Sequence, residues 1–246
     1  MATSARYGIS LRFQTEDAVG RTIYKTGTYE ENLSSYLLAQ SDIPDDGIFL
    51  DVGANIGWYS LLMAKYLTPS SRIFSFEPDT TNVSLLRENM KLNQCTNIHI
   101  ANKALGKERG VATLYLYPGK NRGRHSLIDL DGNQDFIEVE VVSLDEYLED
   151  QGVDFSKISL MKIDIEGFEY PAFQGAPKVL SSVPRVLAEF SPEYMKRGGF
   201  DPIELIELME SNGFQAHHIL PNQLVPVSHR DLRESNEQQD LLWAKV

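Results

Sequence analysis

The spacing of hydrophobic positions changes along the chain, and it marks the elements. From residue 48 onward, short apolar runs alternate with segments whose apolar residues recur every three or four positions, the pattern of strands alternating with helices. Residues 48–52, 72–77, 97–101, 159–165 and 185–190 read as strands, 159–165 as a buried one. Residues 58–66, 80–92 (apolar side Val83, Leu85, Leu86, Met90), 144–148 and 173–180 read as helices. Asp201-Pro202 opens another helix with a capping acid and a proline at its first position, and Gly213 closes it. Residues 214–219 and 241–246 read as terminal strands. Residues 111–117 and 136–142 form a peripheral or antiparallel pair, separated by a Gly- and charge-rich loop over 118–133. Ahead of this alternation, Ile9, Leu11 and Phe13, then Ile23 and Tyr24 beyond a turn at 17–20, predict a small hairpin over 8–26. Leu33, Tyr36, Leu37 and Leu38 predict a helix over 30–40, and 43–47 is a Pro/Asp/Gly turn.

Repeated strand–helix–strand order predicts a doubly wound, mostly parallel α/β sheet with helices on both faces. No internal repeat or linker interrupts it, so the reading is a single domain over 1–246, with an N-terminal extension (1–47) and a catalytic core (48–246). The 246 residues are 42% hydrophobic, enough for a buried core without staples. A net charge of -12 would repel a phosphate backbone, which argues against nucleic acid as partner; Lys120, Arg122 and Arg124 are the one tight basic cluster. Cys95 is the sole cysteine, so no intrachain disulfide forms. The N-terminus shows no apolar leader and no run is long enough for a membrane helix. A cytoplasmic location is therefore the expectation.

The chemistry begins at Asp51-Val-Gly-Ala-Asn-Ile-Gly57, where a strand turns into a helix. Ligands of open α/β sheets bind at the carboxyl ends of strands, and Gly53 and Gly57 permit a tight turn and close backbone approach, with Asn55 between them. The following helix N-terminus turns free N–H groups toward the ligand. NAD and S-adenosylmethionine both use such loops. Asp51 at the loop mouth opposes a pyrophosphate and suits an ammonium and a sulfonium, which favours S-adenosylmethionine. Glu77 ends the second strand about 20 residues later, where an acid chelates ribose hydroxyls. Asn102 and Ala104, at the third strand end, are expected near the adenine.

Asp-Val-Gly-Ala-Asn-Ile-Gly, then Phe-Glu-Pro (76–78), then Met-Lys-Ile-Asp-Ile-Glu-Gly-Phe-Glu (161–169) together resemble the FkbM family of methyltransferases. Thr28-Tyr29-Glu30 is similar to the Tyr-Glu that precedes the family's first strand. The likeness runs from about Gly27 to Phe214. It departs where Asp-Thr follows Phe-Glu-Pro and in the 118–133 loop, where substrate choice is expected to reside. The resemblance implies a class I methyltransferase fold, Rossmann-like with a seven-stranded sheet. It also implies S-adenosylmethionine as donor and mostly O-methylation, on sugar or natural-product hydroxyls.

An alcohol is a weak nucleophile, so a nearby base helps methyl transfer. Asp164 and Glu166 end a buried strand on one side, and two acids there are costly unless paired, solvated or functional. Asp164 is the first candidate for base or acceptor-orienting group, and also touches the cofactor. Glu166 and His125 are the other catalytic candidates. Glu30, Glu169, Glu189 and Arg124 are candidates for the acceptor, with N-capping the competing role of Glu169. Magnesium bridging Asp164 and Glu189 and holding a substrate diol is a variant of this site; a metal-free site is favoured. The leading function is O-methylation of a sugar or glycan hydroxyl. The alternatives are a lipid or polyketide hydroxyl, an NAD-dependent oxidoreductase, and a non-catalytic binding module.

Overall fold

The computed structural model describes residues 1–39, 43–117, 124–130, 132, 135–221 and 223–246. Lys120 and Arg122, most of the tip of the 118–133 loop, and the end of the helix predicted over 30–40 lie outside the described residues.

The alternation beyond residue 48 folds as predicted. β3 (Ile48–Val52), β4 (Arg72–Phe76), β5 (Ile98–Ala101), β9 (Ile158–Ile163) and β10 (Arg185–Phe190) are parallel neighbours in the order β10-β9-β3-β4-β5. β13 (Gln239–Lys245) enters antiparallel beside β10, and β11 (Phe214–Leu220) lies outside it. This is the class I methyltransferase sheet. Instead of seven strands, however, eight are present among the described residues, because β12 (Gln223–Pro226) folds back on β11 as an exposed edge. Its four exposed residues carry no alternation that would have announced it.

Helix α3 (Trp58–Tyr66) follows β3, α4 (Thr80–Leu92) follows β4, and α9 (Pro202–Ser211) precedes β11. The first six residues of α3 are all buried, so it is a central helix rather than an amphipathic surface one. Two apolar clusters sandwich the sheet, one around Leu50, Phe76, Phe173, Met209 and Trp243, the other around Phe49, Leu61, Leu62 and Leu187. The pair predicted as peripheral, β7 (Gly110–Tyr115) and β8 (Phe136–Val142), is antiparallel and forms a separate three-stranded sheet with β6 (Ala104–Leu105). The single helix expected over 173–180 is two, α6 (Glu169–Gln174) and α7 (Pro177–Ser182), because Gly175 and Pro177 interrupt it.

The N-terminal hairpin is corrected. β1 (Ala2–Ser4) pairs with β2 (Ser10–Arg12), whereas residues 18–26 are a helix, α1 (Ala18–Thr26). Asp17 is a helix cap, not a turn residue: its carboxylate accepts from Gly20 N at 2.7 Å, and Val19 and Ile23 then fall on one buried face. α2 (Glu31–Leu38) packs Leu33 and Leu37 into the same cluster. Asn89 of α4 and Asn93 at its C-cap hold β2 through bonds to the backbone of Arg12 and Ser10, so two amides substitute for a neighbouring strand. No helix among the described residues is long and apolar enough to cross a membrane.

Candidate active site

The carboxyl ends of β3, β4 and β9, with β6 and β7, line a cavity that opens to solvent. Its floor is Gly53, Ala54 and Asn55. Gly53 has φ +77, and a Cβ there would stand 2.0 Å from the carbonyl oxygen of Asp164, so the glycine loop lies directly on the end of β9. Gly57 lies outside the lining; its φ of +95 turns the chain into α3, and a Cβ would strike Leu86. Its part is helix–helix packing rather than ligand contact.

Glu77 lines the cavity and is 5% exposed. One oxygen accepts from Asn55 N at 2.8 Å and the other from Asp79 N at 2.9 Å, which locks the glycine loop to the end of β4. Burial pushes its carboxyl up to about 7, against these bonds. Asn102 does not line the cavity. Its amide donates to the carbonyls of Glu77 and Pro78 and so braces that strand end, while Ala104 does form part of the wall.

Asp51 is corrected most sharply. It is fully buried beneath the loop, accepts from Ser60 Oγ, and does not line the cavity. In register it stands between Lys162 of β9 and Ser75 of β4. It therefore meets no ligand at the loop mouth, and the electrostatic argument that set it against a pyrophosphate does not apply.

Asp164, Glu166 and Tyr29 line this cavity and also a wider, open one whose other walls are Glu30, Arg124, Glu189, Tyr194, Gln238, Gln239 and Asp240. The two cavities thus meet at the end of β9. Glu166 sits at φ +55; burial, with Asp164 and Glu169 adding to it, pushes it up to about 8. Glu30, also left-handed at φ +42, accepts from Tyr59 OH, and burial raises it to about 7. Glu189 accepts from Ser191 and Gln238, and burial lifts it well above the carboxylate range. Arg124 donates to Tyr194 OH at 2.8 Å, with its guanidinium 4.4 Å from the Tyr117 ring centre.

Two candidates do not face the ligand space as expected. Glu169 is fully buried, lines neither cavity, and accepts from Ile165 N at 2.9 Å and Gly167 N at 3.3 Å; it holds the turn that carries Glu166. His125 does line the first cavity, but Nδ1 accepts from Tyr117 N at 3.0 Å and Nε2 lies 3.3 Å from Asp79. The neutral ring has one lone pair, and that lone pair is used, so His125 fastens the 124–130 segment rather than serving as a base. Among the described residues, no group of three His, Cys, Asp or Glu stands close enough to hold a metal ion.

The sequence reading missed Lys162, Tyr59, Tyr194 and Asp240. Lys162 alone left a signal, a lysine inside an otherwise apolar strand.

The sequence model described as the Methyltransferase FkbM domain matches residues 51–216, the span that carries the glycine loop, Glu77 and the Asp164–Glu169 turn. The chain belongs to the FkbM methyltransferase family. The matched domain is a methyltransferase domain. Among curated relatives, "Methyltransferase 1" of Beauveria bassiana is 28% identical over 149 residues, 54% of this chain and 59% of that relative. The hexuronic acid methyltransferase AglP of Haloferax volcanii is 26% identical over 180 residues, 73% of this chain and 67% of the relative. The chain thus spans about 59% to 67% of these relatives' lengths. Among solved structures, a candidate O-methyltransferase of Klebsiella pneumoniae superimposes with a TM-score of 0.52 at 12% identity, covering 96% of this chain and 92% of that one. An rRNA methylase of Streptococcus thermophilus does so at 0.50 and 12%, covering 87% and 95%. These two show the fold.

The first cavity fits the FkbM donor chemically. Phe76, Ala104, Leu105, Leu114 and Leu127 offer an apolar slot for an adenine, Glu77 an acceptor for a ribose diol, and Asp164 an anion on the far side.

Proposed function

We propose that this FkbM protein methylates a hydroxyl of a sugar or glycan. The carrying observation is the composition of the second cavity. Among the described residues, its walls are carboxylates, amides, an arginine and two tyrosines, with no aliphatic side chain. Hydroxyl-rich ligands are bound by many such donors and acceptors, whereas a lipid or polyketide chain would lose its hydrophobic gain against them. The name of the Haloferax relative, a hexuronic acid methyltransferase, supports a sugar.

When bound, S-adenosylmethionine supplies an electrophilic methyl group. The protein's own part is to hold and orient. Glu77 and Asn55 grip the donor's ribose side and the apolar slot its base. Asp164 lines both cavities, so it is the group best situated to accept the acceptor's proton or fix its hydroxyl. Glu30, Glu166 and Glu189 then serve as hydrogen-bonding groups for the remaining hydroxyls, and their raised carboxyls allow them to donate as well as accept. Arg124 closes the acceptor side.

The test is a panel of neutral, amino and uronic sugars and of lipid alcohols, each with S-adenosylmethionine, with S-adenosylhomocysteine quantified. A sugar that releases it above the blank is the expected result. Release only with lipid alcohols, or with none of the panel, would overturn the reading, the latter in favour of a binding module.

A further inference from the structure

Lys162 has no role in the function proposed above, yet it is a buried lysine that lines the first cavity. It projects from β9 and is 4% exposed. Its ammonium lies 3.3 Å from Asp164 Oδ2 and 5.2 Å from the centre of the Tyr59 ring. A buried ammonium is strongly unfavourable unless compensated. Here compensation comes from several elements: Asp51 pairs with Lys162 in register on β3, Asp164 stands two residues on, just past the end of β9, and Glu30 and Asp240 reach the same region from the segment before α2 and from β13. Burial opposes the lysine's charge, but Asp164, Asp51 and Glu30 outweigh it and raise its pKa. It remains an ammonium.

Of these acids, Asp164 alone makes a hydrogen bond with Lys162 and also lines both cavities. Its side chain is 30% exposed, so without a fixed partner it is free to rotate into the open cavity. We propose that Lys162 is a positioning residue for methyl transfer, its ammonium fixing the carboxylate of Asp164 where the donor cavity and the acceptor cavity meet. The proposal rests on the reading of the first cavity as the donor site. It goes further in assigning the orientation of the reacting-side acid to a lysine that lines the first cavity but not the second. The strand's period of two, with Lys162 and Asp164 on one side of β9, makes the pair a property of the Lys-Ile-Asp sequence itself.

A merely charged lysine and a positioning lysine make opposite predictions that need no acceptor. S-adenosylmethionine carries a sulfonium that S-adenosylhomocysteine lacks, so the ratio of their affinities, measured by calorimetry, reports negative charge held toward the sulfur. Deleting a nearby cation raises the preference for the sulfonium ligand if charge is all that matters. If Lys162 works by fixing Asp164, Lys162→Met lowers that preference, by roughly tenfold, as Asp164→Asn does, and adds nothing further in the Asp164→Asn background. Lys162→Arg is the second variant, should the methionine variant not fold. It keeps the charge but changes its reach and geometry, so positioning predicts a reduced preference and charge alone an unchanged one.

A raised preference in Lys162→Met, additive effects in the double variant, or a wild-type ratio in Lys162→Arg overturns the proposal. An unaltered ratio in Asp164→Asn does so too. Failure of both ligands to bind the wild-type protein refutes instead the donor-site reading on which it stands.

Discussion

The contact between Gly53 and the carbonyl of Asp164 joins the donor loop to the acidic strand end, and it can be tested by adding one methyl group. Gly53→Ala meets two costs. The residue sits at φ +77, where an L side chain costs about 1–2 kcal/mol. Its Cβ would also stand 2.0 Å from a backbone oxygen, which cannot rotate away as a side chain can. Moving apart by roughly 1 Å is overpacking, a further cost of about 1–3 kcal/mol. The expected destabilisation is therefore about 2–5 kcal/mol. Gly152→Ala supplies the reference, because Gly152 has φ +62 and nothing within 4 Å of a new Cβ. It should lose only the conformational part, about 1–2 kcal/mol. Urea unfolding followed by circular dichroism gives both values, and calorimetry with S-adenosylhomocysteine gives affinity, expected to fall at least roughly tenfold for Gly53→Ala alone. If the two variants are equally stable to within about 0.5 kcal/mol and ligand affinity is untouched, the loop does not rest on Asp164 as described.

Three other outcomes are expected. Glu30, Glu77 and Glu169 are raised to about 7 and Glu166 to about 8, mainly by burial. The folded protein then binds more protons than the unfolded chain between the ordinary carboxylate range and pH 8, so stability without ligand should fall as pH rises from 5.5 to 8; urea midpoints that climb over that interval contradict this. With an acceptor from the panel, His125→Gln should keep kcat within about tenfold, because loss of a true general base costs roughly 10²–10⁴-fold; a drop of that size restores His125 as the base. Arg124 lines only the acceptor cavity. Arg124→Met should therefore raise the acceptor KM by about tenfold, through lost charge-assisted hydrogen bonds, and leave affinity for S-adenosylhomocysteine unchanged in calorimetry.

The central strands and helices beyond residue 48 were legible because each buries an apolar face, and burial leaves a periodic trace. Residues 18–26 were misread because Asp17-Ala-Val-Gly serves equally as a turn or as a capped helix start, and only Asp17's bond to Gly20 distinguishes them. β12 left no trace because it buries nothing. At the site, Gly53, Glu77 and Asp164 were recognisable from their places at strand ends. Asp51 also ends a strand, but its side chain points into the layer under α3, toward Ser60, and strand position alone does not say which face is the ligand's. The rest of the second cavity's wall needed the fold: Tyr194 and Asp240 are far from Glu30 and Asp164 in the chain and meet them only through the sheet order.

That order also sets a timetable. β13 lies between β10 and β11, so β11 has no place in the sheet until residues 239–245 arrive. Among the described residues, the cavity read as the donor's is lined from Val19 to Phe168, whereas the one read as the acceptor's also draws on Tyr194 and on Gln238 to Asp240. A chain leaving the ribosome N-terminus first therefore exposes every residue of its donor cavity before it has the means to build the acceptor cavity.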